Sequence, residues 1–517
     1  MPAGASEPTN GRLPRVAVIG GGMAGLAAAR VLEDACTSGS PQSTADWVLF
    51  ERDQRLGGKV QTVRRDGFVI EGGPDSAIVE KPWPIEMARR LGIGDRLLDS
   101  NEDIRKSFVF SDGRLHEFPE GIILMVPTRL VPFAFSSLIS WPGKLRMGMD
   151  LVLPRGPATG DESLGDFVRR RLGREALAKV AEPIVAGIHA GDPERMSVRA
   201  TFPMFHEMEE KHRSLIIGML KRRRARARLA APTTGPRQSP RSYFYSFRTG
   251  LADLSDAIVA SLPGDRLHTG ATVVAIERAD EPAGVGRRGG FMLALSDGGR
   301  EHVDAVVLAT PAFASGELLR AVAPLAAADL ESIEYVTTAT VSVAFRRDQV
   351  AHPLRGFGLV VPRAEHRGVM ATTWSSSKFA DRAPEGYVLV RSFLGRAGIE
   401  AAAQLDDDEM LKLVRSELDA MLGVTAEPVT REIFRWPHGM PQYKVGHTAL
   451  VDRIEAAVAE APGVELAGGA YHGIGIGDCM REGAAAAHRA LAHIAGLAEE
   501  PVPPQPHDVP AGDGVAD

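Results

Sequence analysis

A Gly-x-Gly-x-x-Gly motif at residues 20–25 constrains this chain more than any other feature of its sequence. The β-branched run at 16–19 that precedes it is typical of a buried parallel strand, and the Ala- and Leu-rich stretch that follows favours a helix. In that setting the three glycines permit a tight turn, leave room for a pyrophosphate and let helix and strand pack closely. The helix N-terminus then offers free N–H groups to the phosphates. The sequence therefore predicts a dinucleotide site at Gly20, Gly22, Met23, Ala24 and Gly25.

A second predicted strand, residues 47–51, ends on Glu51. A carboxylate at this place can accept hydrogen bonds from both ribose hydroxyls of a dinucleotide. Its separation from the glycines exceeds the usual value of about twenty residues, and the polar insert at 36–44 explains the excess as a longer loop. The alternative is a solvated carboxylate at the end of the strand; the preceding glycine motif favours the cofactor interpretation.

The composition indicates a globular protein in a reducing compartment. The 517 residues are enough for more than one domain, and the net charge of -6 gives no general reason to expect nucleic acid or a membrane. Two cysteines, Cys36 and Cys479, cannot form a disulfide framework. Residues 1–12 lack the apolar core of an export signal, and no run of about eighteen apolar residues is present. We therefore expect a cytoplasmic location.

After Glu51 the chain continues with Arg52 and then with Gly57, Gly58 and Lys59. With this second glycine pair the chain resembles the superfamily of FAD-dependent amine oxidases and porphyrinogen oxidases. In that superfamily a Gly-Gly pair follows the acid and lies near the flavin phosphates. A nicotinamide dehydrogenase does not need the second pair, so the resemblance implies FAD.

Further motifs resemble the same superfamily and follow its order along the chain, so that the resemblance covers about residues 14–495. Residues 71–76 are similar to the turn beside the isoalloxazine ring, with a plain tight turn as the alternative. Residues 373–391 and 436–447 are similar to bacterial porphyrinogen oxidases rather than to amine oxidases. Residues 463–480 combine a strand, a glycine-rich turn and a helix, whose positive end would face the N1/O2 edge of the flavin.

The resemblance implies a non-covalent FAD site with residues from all of these motifs. By that resemblance the backbone of Val273 lies against the adenine, and Trp436 touches the flavin region. The implied cofactor-binding residues are Gly20, Gly22, Met23, Ala24, Gly25, Glu51, Arg52, Gly57, Gly58, Lys59, Gly72, Gly73, Pro74, Asp75, Val273, Trp436, Gly468, Ile474, Gly475 and Ile476.

We predict an α/β (α+β) fold with a Rossmann-like FAD-binding domain, an interleaved substrate domain and a helical subdomain that is either membrane-associated or a lid. The FAD-binding domain is expected in three separate parts of the chain. The predicted segments are 13–106, 241–311 and 456–497 for the FAD-binding domain, 107–240 for the helical region, 312–455 for the substrate-binding domain and 498–517 for a disordered tail.

The resemblance implies a haem-biosynthesis enzyme that oxidises coproporphyrinogen III to coproporphyrin III. The reaction removes six electrons in three steps, and O2 reoxidises the flavin to give hydrogen peroxide. Protoporphyrinogen IX is the alternative substrate, and an amine oxidase on the same fold is an alternative activity. Aromatisation drives the reaction, and the sequence offers no convincing general base. No metal site is predicted.

A porphyrinogen is an apolar macrocycle with propionates, so its site needs an apolar slot with a cation at the mouth. By the resemblance, Lys106 lies near the substrate carboxylates, and Arg105 is the fallback. The alternative for both residues is an exposed basic pair before a strand.

Two stretches bear on partners. The apolar segment 121–135 is broken by prolines and an arginine, so it would contact a membrane surface peripherally or cover an apolar ligand. The basic tract 221–228 has no interleaved aromatic residues, and a solvated helix end explains it better than nucleic-acid binding. A flavin-containing binding protein that uses this tract is the remaining alternative. We expect no nucleic-acid partner, and a monomer or homodimer.

Overall fold

The computed structural model describes residues 13–37, 45–119, 122–123, 125–156, 160–229, 242–279 and 290–496. The predicted tail at 498–517, residues 1–12 and most of the polar insert at 36–44 lie outside the described residues.

The strands and helices of the described residues occur partly in alternation and partly in runs, such as helices α3 to α10 and strands β12 to β16. In chain order the strands are β1 (Arg15–Ile19), β2 (Asp46–Glu51), β3 (Thr62–Arg65), β4 (Phe68–Glu71), β5 (Ala77–Ile78), β6 (Leu97–Asp99), β7 (Ser107–Ser111), β8 (Arg114–Glu117), β9 (Ile122–Ile123), β10 (Val126–Pro127), β11 (Phe244–Phe247), β12 (Leu267–Thr269), β13 (Val273–Arg278), β14 (Phe291–Leu295), β15 (Arg300–Val303), β16 (Ala305–Leu308), β17 (Tyr335–Arg346), β18 (Gly358–Val360), β19 (Val369–Thr373), β20 (Tyr387–Leu394), β21 (Thr430–Pro441) and β22 (Val464–Leu466).

The α-helices are numbered in the same way. They are α1 (Met23–Thr37), α2 (Trp83–Arg90), α3 (Leu130–Phe135), α4 (Trp141–Gly148), α5 (Leu164–Arg171), α6 (Arg174–Ala176), α7 (Glu182–His189), α8 (Val198–Thr201), α9 (Pro203–His212), α10 (Leu215–Leu229), α11 (Ala252–Ala260), α12 (Ala312–Leu319), α13 (Pro324–Glu331), α14 (Ser375–Lys378), α15 (Ala401–Gln404), α16 (Asp407–Leu422), α17 (His447–Ala459) and α18 (Ile476–Ala495).

A five-stranded sheet in the order β12-β2-β1-β16-β22 forms the centre of the nucleotide-binding part. The pairs are parallel, with Val16 of β1 opposite Trp47 of β2 and Ala305 of β16. Because the inner strands β1, β2 and β16 are mostly buried, their sequences are continuous apolar runs rather than alternating ones. Helices α1, α11 and α18 cover one face, while α12, α13 and α17 pack on the other. Three stretches of the chain that are distant in sequence thus share one sheet.

A seven-stranded mixed sheet in the order β21-β17-β20-β19-β18-β7-β8 forms the second part. Strand β7 belongs to the N-terminal part of the chain, yet it pairs in parallel with β18. The two long strands β17 and β21 place Thr338 opposite Trp436. Through this pairing, the stretch that contains Trp436 returns to the glycine turn at Gly72 near the N-terminal end of the chain.

Helices α3 to α10 form a third part with its own apolar core. At its centre Arg171 and Asp150 are both completely buried and form an ion pair. The Asp150 carboxylate also accepts hydrogen bonds from the Ser214 hydroxyl and the Ile216 N–H, at 2.6 and 3.0 Å. The buried Asp150 carboxylate thereby joins the Arg171 side chain of α5, the Ser214 side chain and the backbone of α10. In the described part of the chain no helix is long and apolar enough to cross a membrane.

The predicted fold class is confirmed: the molecule mixes helices with parallel and antiparallel sheets, and a nucleotide-binding part interleaves with a second sheet. The apolar segment 121–135 is divided, because Met125, Val126 and Phe133 are buried whereas Val131 and Phe135 are exposed. Gly121 and Leu124 of that segment lie outside the described residues.

Candidate active site

The first glycine turn has the geometry that its sequence predicts. Gly20 has φ +106°, and its N–H donates to the Phe50 carbonyl oxygen at 2.8 Å. A Cβ atom at Gly25 would overlap the Gly20 carbonyl oxygen, so only glycine lets α1 approach β1 this closely. A Cβ atom at Gly22, in contrast, would meet no protein atom within 4 Å. The open space beside Gly22 fits a pyrophosphate, with Met23 and Ala24 forming the start of the helix that follows.

Glu51 lies at the end of β2 beside this turn. Its Oε2 atom accepts a hydrogen bond from the Gly21 N–H at 2.6 Å, and Oε1 accepts one from the Asp53 N–H at 2.9 Å. These two bonds fix the carboxylate at the mouth of the turn, where a ribose would lie. Arg52 is exposed and approaches only the carboxylate of Asp53, at 3.7 Å, among the charged groups described.

The second glycine pair packs directly on the first turn. The Gly57 N–H donates to the Gly21 carbonyl oxygen at 2.8 Å. Both residues of the pair have positive φ, +102° at Gly57 and +56° at Gly58, and a Cβ at Gly58 would come within 3.0 Å of the Gly22 Cα. The neighbouring Lys59 ammonium donates to the Gly439 carbonyl oxygen. Within the described ranges no carboxylate lies within 4.0 Å of this cation, so it is free to serve a phosphate.

The Gly72–Gly73 turn is held by three adjacent strands of the second sheet. The Gly72 carbonyl oxygen accepts hydrogen bonds from Thr340 Oγ1 of β17 at 2.9 Å, Arg391 Nη2 of β20 at 3.1 Å and Trp436 Nε1 of β21 at 3.0 Å. A Cβ at Gly73 would overlap the Lys59 carbonyl oxygen. The turn is thus clamped from one side.

Pro74 and Asp75 continue this turn, and Asp75 is paired with Lys378, whose ammonium lies 3.0 Å from each carboxylate oxygen. Burial alone raises the pKa of Asp75, but the positive charges of Lys378 and Arg391 outweigh it and lower the pKa to about 2. The carboxylate is therefore ionised at neutral pH and neutralises part of the charge behind the turn.

The C-terminal glycine turn is held by Tyr443. The Tyr443 hydroxyl donates to the Gly469 carbonyl oxygen and accepts from the Gly473 N–H, both at 2.9 Å. Gly468 has φ +133°, which a side chain would strain. Helix α18 begins at Ile476, directly after the predicted residues Ile474 and Gly475. The Asp478 carboxylate caps this helix by accepting a hydrogen bond from the Gly475 N–H at 3.1 Å. Lys81 pairs with the same carboxylate.

Val273 is buried at the start of β13, where it pairs with Leu295 of β14. The hydrogen bond from Trp436 to Gly72 places its indole beside the turn that the family resemblance assigns to the isoalloxazine. The roles of both residues toward the cofactor stay predictions.

The predicted substrate cations lie at the surface. Arg105 is 53% exposed; it pairs with Glu102 at 3.4 Å and lies 5.5 Å from the Tyr243 ring centre. Lys106 is 48% exposed, and its ammonium donates to Glu117 at 2.9 Å. The structure brings neither cation into a described contact with the glycine turns, so their role toward substrate stays a prediction.

Two buried histidines near the turns are neutral at pH 7. His189, at the end of α7, has its Nδ1 without a partner among the described residues; burial and the charge of Lys81 lower its pKa to about 4. His447 stacks on Tyr443 with ring centres 4.1 Å apart, and burial lowers its pKa to about 4 as well. Neither side chain is an acid at neutral pH.

Sequence reasoning missed Thr340, Arg391 and Tyr443. Each acts on a glycine turn from a distant strand or loop, and although Arg391 and Tyr443 lie within the family-like stretches 373–391 and 436–447, nothing in the sequence assigned them to these turns. Arg391 alone carried a signal, because a charged residue within an otherwise apolar strand needs a buried partner.

These observations fit FAD: an open space at Gly22, an anchored acid for a ribose, a cation without a carboxylate partner in the described chain, and a helix N-terminus at the C-terminal turn. The profile of the family "Flavin containing amine oxidoreductase" matches residues 23–491. The predicted FAD cofactor and oxidoreductase class are thereby confirmed.

Similar proteins extend over nearly the whole chain. The coproporphyrinogen III oxidase of Bacillus subtilis is 33% identical over 480 residues, which is 93% of this chain and 98% of that protein. The enzyme of the same name from Propionibacterium freudenreichii is 35% identical, with 90% and 88% covered. A crystal structure from Exiguobacterium, provisionally named a protoporphyrinogen oxidase, is 31% identical with a TM-score of 0.78, covering 94% of this chain and 99% of its own. The chain belongs to the flavin-containing amine oxidoreductase family.

Proposed function

We propose that this protein oxidises coproporphyrinogen III to coproporphyrin III in haem biosynthesis. The observation that carries the proposal is the near full-length similarity to two proteins named coproporphyrinogen III oxidase, at 33% and 35% identity. Protoporphyrinogen IX is the second candidate, since the Exiguobacterium structure is named for a protoporphyrinogen substrate. In the balanced reaction one porphyrinogen and three O2 give one porphyrin and three hydrogen peroxide.

Bound FAD would supply the redox chemistry, by accepting electron pairs from the macrocycle and passing them to O2. The protein residues bind and orient. The Gly20–Gly25 turn, Glu51 and the Gly57–Gly58 pair would hold the nucleotide, while Trp436 and Arg391 hold the Gly72–Gly73 turn rigid. Such preorganisation is the main contribution a protein makes where aromatisation itself drives the reaction. We assign no general base.

The contrast with an amine oxidase supports a porphyrinogen substrate. By the family resemblance, amine oxidases frame the flavin with an aromatic cage. Here Tyr471, the aromatic residue just before the last glycines, is buried in the core beside the parallel sheet. His472 turns to Glu455, with its Nε2 atom 2.7 Å from the carboxylate. Neither ring is placed to form one wall of such a cage.

A peripheral contact with the inner face of the cell membrane is a second part of the proposal. An apolar surface supports it, in which Phe135 is 85% exposed, Leu145 73% and Trp141 65%. Lys144 lies 4.6 Å from the Trp141 ring centre, and the start of the basic tract, residues 221–224, is exposed on α10, where Arg223 approaches the Thr128 carbonyl oxygen at 3.4 Å. Apolar side chains beside cations suit an anionic lipid surface.

Vesicle sedimentation tests this contact. The protein should co-sediment with vesicles that contain anionic lipid and come off in salt, and Trp141→Ser should weaken the binding. Binding that resists carbonate extraction, or no binding to anionic vesicles, would refute it. The cytoplasmic location and the monomeric or homodimeric state remain our inferences, and sedimentation velocity measures the latter.

The activity itself is tested with the two porphyrinogens side by side. Porphyrin fluorescence should develop faster from coproporphyrinogen III than from protoporphyrinogen IX, and only with FAD bound. Faster porphyrin formation from protoporphyrinogen IX would favour that compound as the substrate. No porphyrin formation from either compound would reject both as substrates.

A further inference from the structure

Arg391 is hydrogen-bonded to the backbone of the Gly72–Gly73 turn, although it is far from that turn in the sequence. It lies in the middle of β20 and is only 2% exposed. Its Nη2 atom donates to the Gly72 carbonyl oxygen at 3.1 Å and also to that of Gly73. Its Nε–H is buried without a partner among the described residues, and the guanidinium lies 4.6 Å from the ring centre of Phe393.

The charges around Arg391 do not balance. Behind the turn lie the cations Lys378, Arg382 and Arg391 and the carboxylates Glu71 and Asp75. Lys378 is paired with Asp75 at 3.0 Å, and Arg382 lies 3.9 Å from Glu71. In the described part of the chain no carboxylate comes within 4.0 Å of Arg391. Arg391 is therefore the cation of this group without a carboxylate in direct contact, and the charges of Asp75 and Glu71 reach it only at longer range.

A buried guanidinium without a carboxylate partner is costly. Two carbonyl oxygens and an aromatic face compensate only part of the lost hydration. Thr340 and Trp436 already donate to the Gly72 oxygen, so with an apolar residue at 391 only the Gly73 oxygen would lose a donor. A neutral donor would serve that oxygen at a lower cost of burial, so the hydrogen bonds of the turn do not by themselves account for a full positive charge.

We propose that Arg391 is a positioning residue for the flavin, which fixes the Gly72–Gly73 turn and places a positive charge behind it. A fixed positive charge near the flavin favours its reduced, negatively charged state. The inference rests on the position of the isoalloxazine at this turn, which the family resemblance implies, and not on the identity of the porphyrinogen.

Two variants separate the two roles. Arg391→Met removes both the donors and the charge: FAD should bind about tenfold more weakly. The midpoint potential of the bound flavin should fall by about 30 mV, which corresponds to a tenfold change in a two-electron equilibrium. Arg391→Lys keeps the charge but cannot bridge both carbonyl oxygens, so its FAD affinity should fall while its potential at pH 7 stays near that of the wild type.

Reconstitution of apoprotein with FAD, followed by flavin fluorescence, measures the affinity, and a dye-linked reduction measures the potential. Neither needs a porphyrinogen, so failure here and failure of the proposed reaction are distinguishable. Arg396→Lys is the matched control: Arg396 is also buried, but it pairs with Glu182 at 2.8 Å and does not touch the turn. It should leave the potential unchanged.

A folded Arg391→Met protein with wild-type affinity and potential would overturn the proposal. If Arg391→Met does not fold, the Arg391→Lys variant alone tests both roles. An unchanged FAD affinity in it would reject the positioning role. A buried lysine loses its proton as the pH rises, so the potential of this variant should drop below that of the wild type between about pH 7 and pH 10. Parallel potentials over that range would reject the charge effect.

Discussion

The backbone N–H of Gly57 donates to the carbonyl oxygen of Gly21 at 2.8 Å, which joins two glycine motifs from different parts of the chain into one surface. Gly58 then lies against the Gly22 backbone, and the space in the direction of a Gly22 Cβ stays open. Each motif alone is a weak signal, since a glycine-rich turn has many uses. Their contact defines a single cradle, and the acid Glu51 is hydrogen-bonded to the Gly21 N–H at its edge.

The open space at Gly22 leads to the first prediction. A Gly22→Val change meets no protein atom near the new Cβ, so the protein should fold but lose FAD. The new side chain would occupy the pyrophosphate position. Flavin absorbance per protein after purification measures the loss, and a melting temperature within a few degrees of the apoprotein shows that the fold persists. Full flavin content in this variant would refute the assignment of the turn.

The neighbouring Gly25 provides a contrasting variant. Gly25→Ala places a Cβ atom against the Gly20 carbonyl oxygen. It should therefore destabilise the fold itself, by about 1–3 kcal/mol or more. Chemical denaturation of the apoprotein measures this free energy. Equal stabilities of Gly25→Ala and Gly22→Val apoproteins would show that the third glycine does not serve helix packing.

The substrate cation is the subject of a third prediction. Lys106→Ala should raise KM for a porphyrinogen about tenfold, because a charge-assisted hydrogen bond to a propionate contributes about 1.5–3 kcal/mol. The rate at saturation should change less, since such a contact is similar in ground and transition states. Arg105→Ala is tested beside it, and Arg346→Ala, another exposed arginine with a nearby acid, is the control. An unchanged KM in both Lys106→Ala and Arg105→Ala would show that neither cation binds the substrate propionate.

The buried ion pair of the helical part leads to a fourth prediction. Asp150→Ala removes the carboxylate in closest contact with the fully buried Arg171, which keeps only a longer contact to Glu209 at 3.4 Å, and it also frees the Ser214 hydroxyl and the Ile216 N–H. Removing one partner of a buried pair costs about 3–5 kcal/mol. Denaturant unfolding should show this loss, whereas Asp348→Ala, which breaks an exposed pair, should leave the free energy of unfolding almost unchanged because solvent screens such pairs. Similar losses in the two variants would contradict the account.

The two buried histidines predict a pH dependence. Burial lowers the pKa of His189 and of His447 to about 4, below the ordinary value of 6.5. The unfolded chain therefore binds these protons more readily than the folded one. Their contribution to stability is complete above about pH 6.5 and is lost as the pH falls toward 4, by at most about 3 kcal/mol for each histidine. Urea unfolding at several pH values should show a flatter profile in a His189→Phe, His447→Phe double variant; the same profile as the wild type would refute the assignment.

The parts of the site that sequence reasoning predicted are those in which the local backbone dictates the residue. Gly20, Gly25 and Gly57 adopt conformations or close approaches that exclude side chains, and such constraints leave a readable pattern. The nucleotide-binding sheet could also be predicted, because its buried parallel strands are short apolar runs next to these turns.

The parts that sequence reasoning could not predict depend on strand pairing between distant segments. Thr340, Arg391 and Trp436 reach one carbonyl oxygen because β17, β20 and β21 are neighbours in one sheet. The residues that precede and follow Thr340 or Arg391 in the sequence do not indicate which strands will lie beside them. The surface position of Lys106 depends likewise on β7 joining β18, a pairing in which Ser107 lies opposite Gly358, about half of the chain away.

Anaerobic mixing of the FAD-bound protein with substrate tests the central claim most directly. Coproporphyrinogen III, without O2, should bleach the flavin absorbance near 450 nm within a catalytic turnover, and admission of O2 should restore it with formation of hydrogen peroxide. Primary amines at the same concentration should leave the absorbance unchanged. Bleaching by an amine and none by coproporphyrinogen III or protoporphyrinogen IX would contradict the account and identify the protein as an amine oxidase.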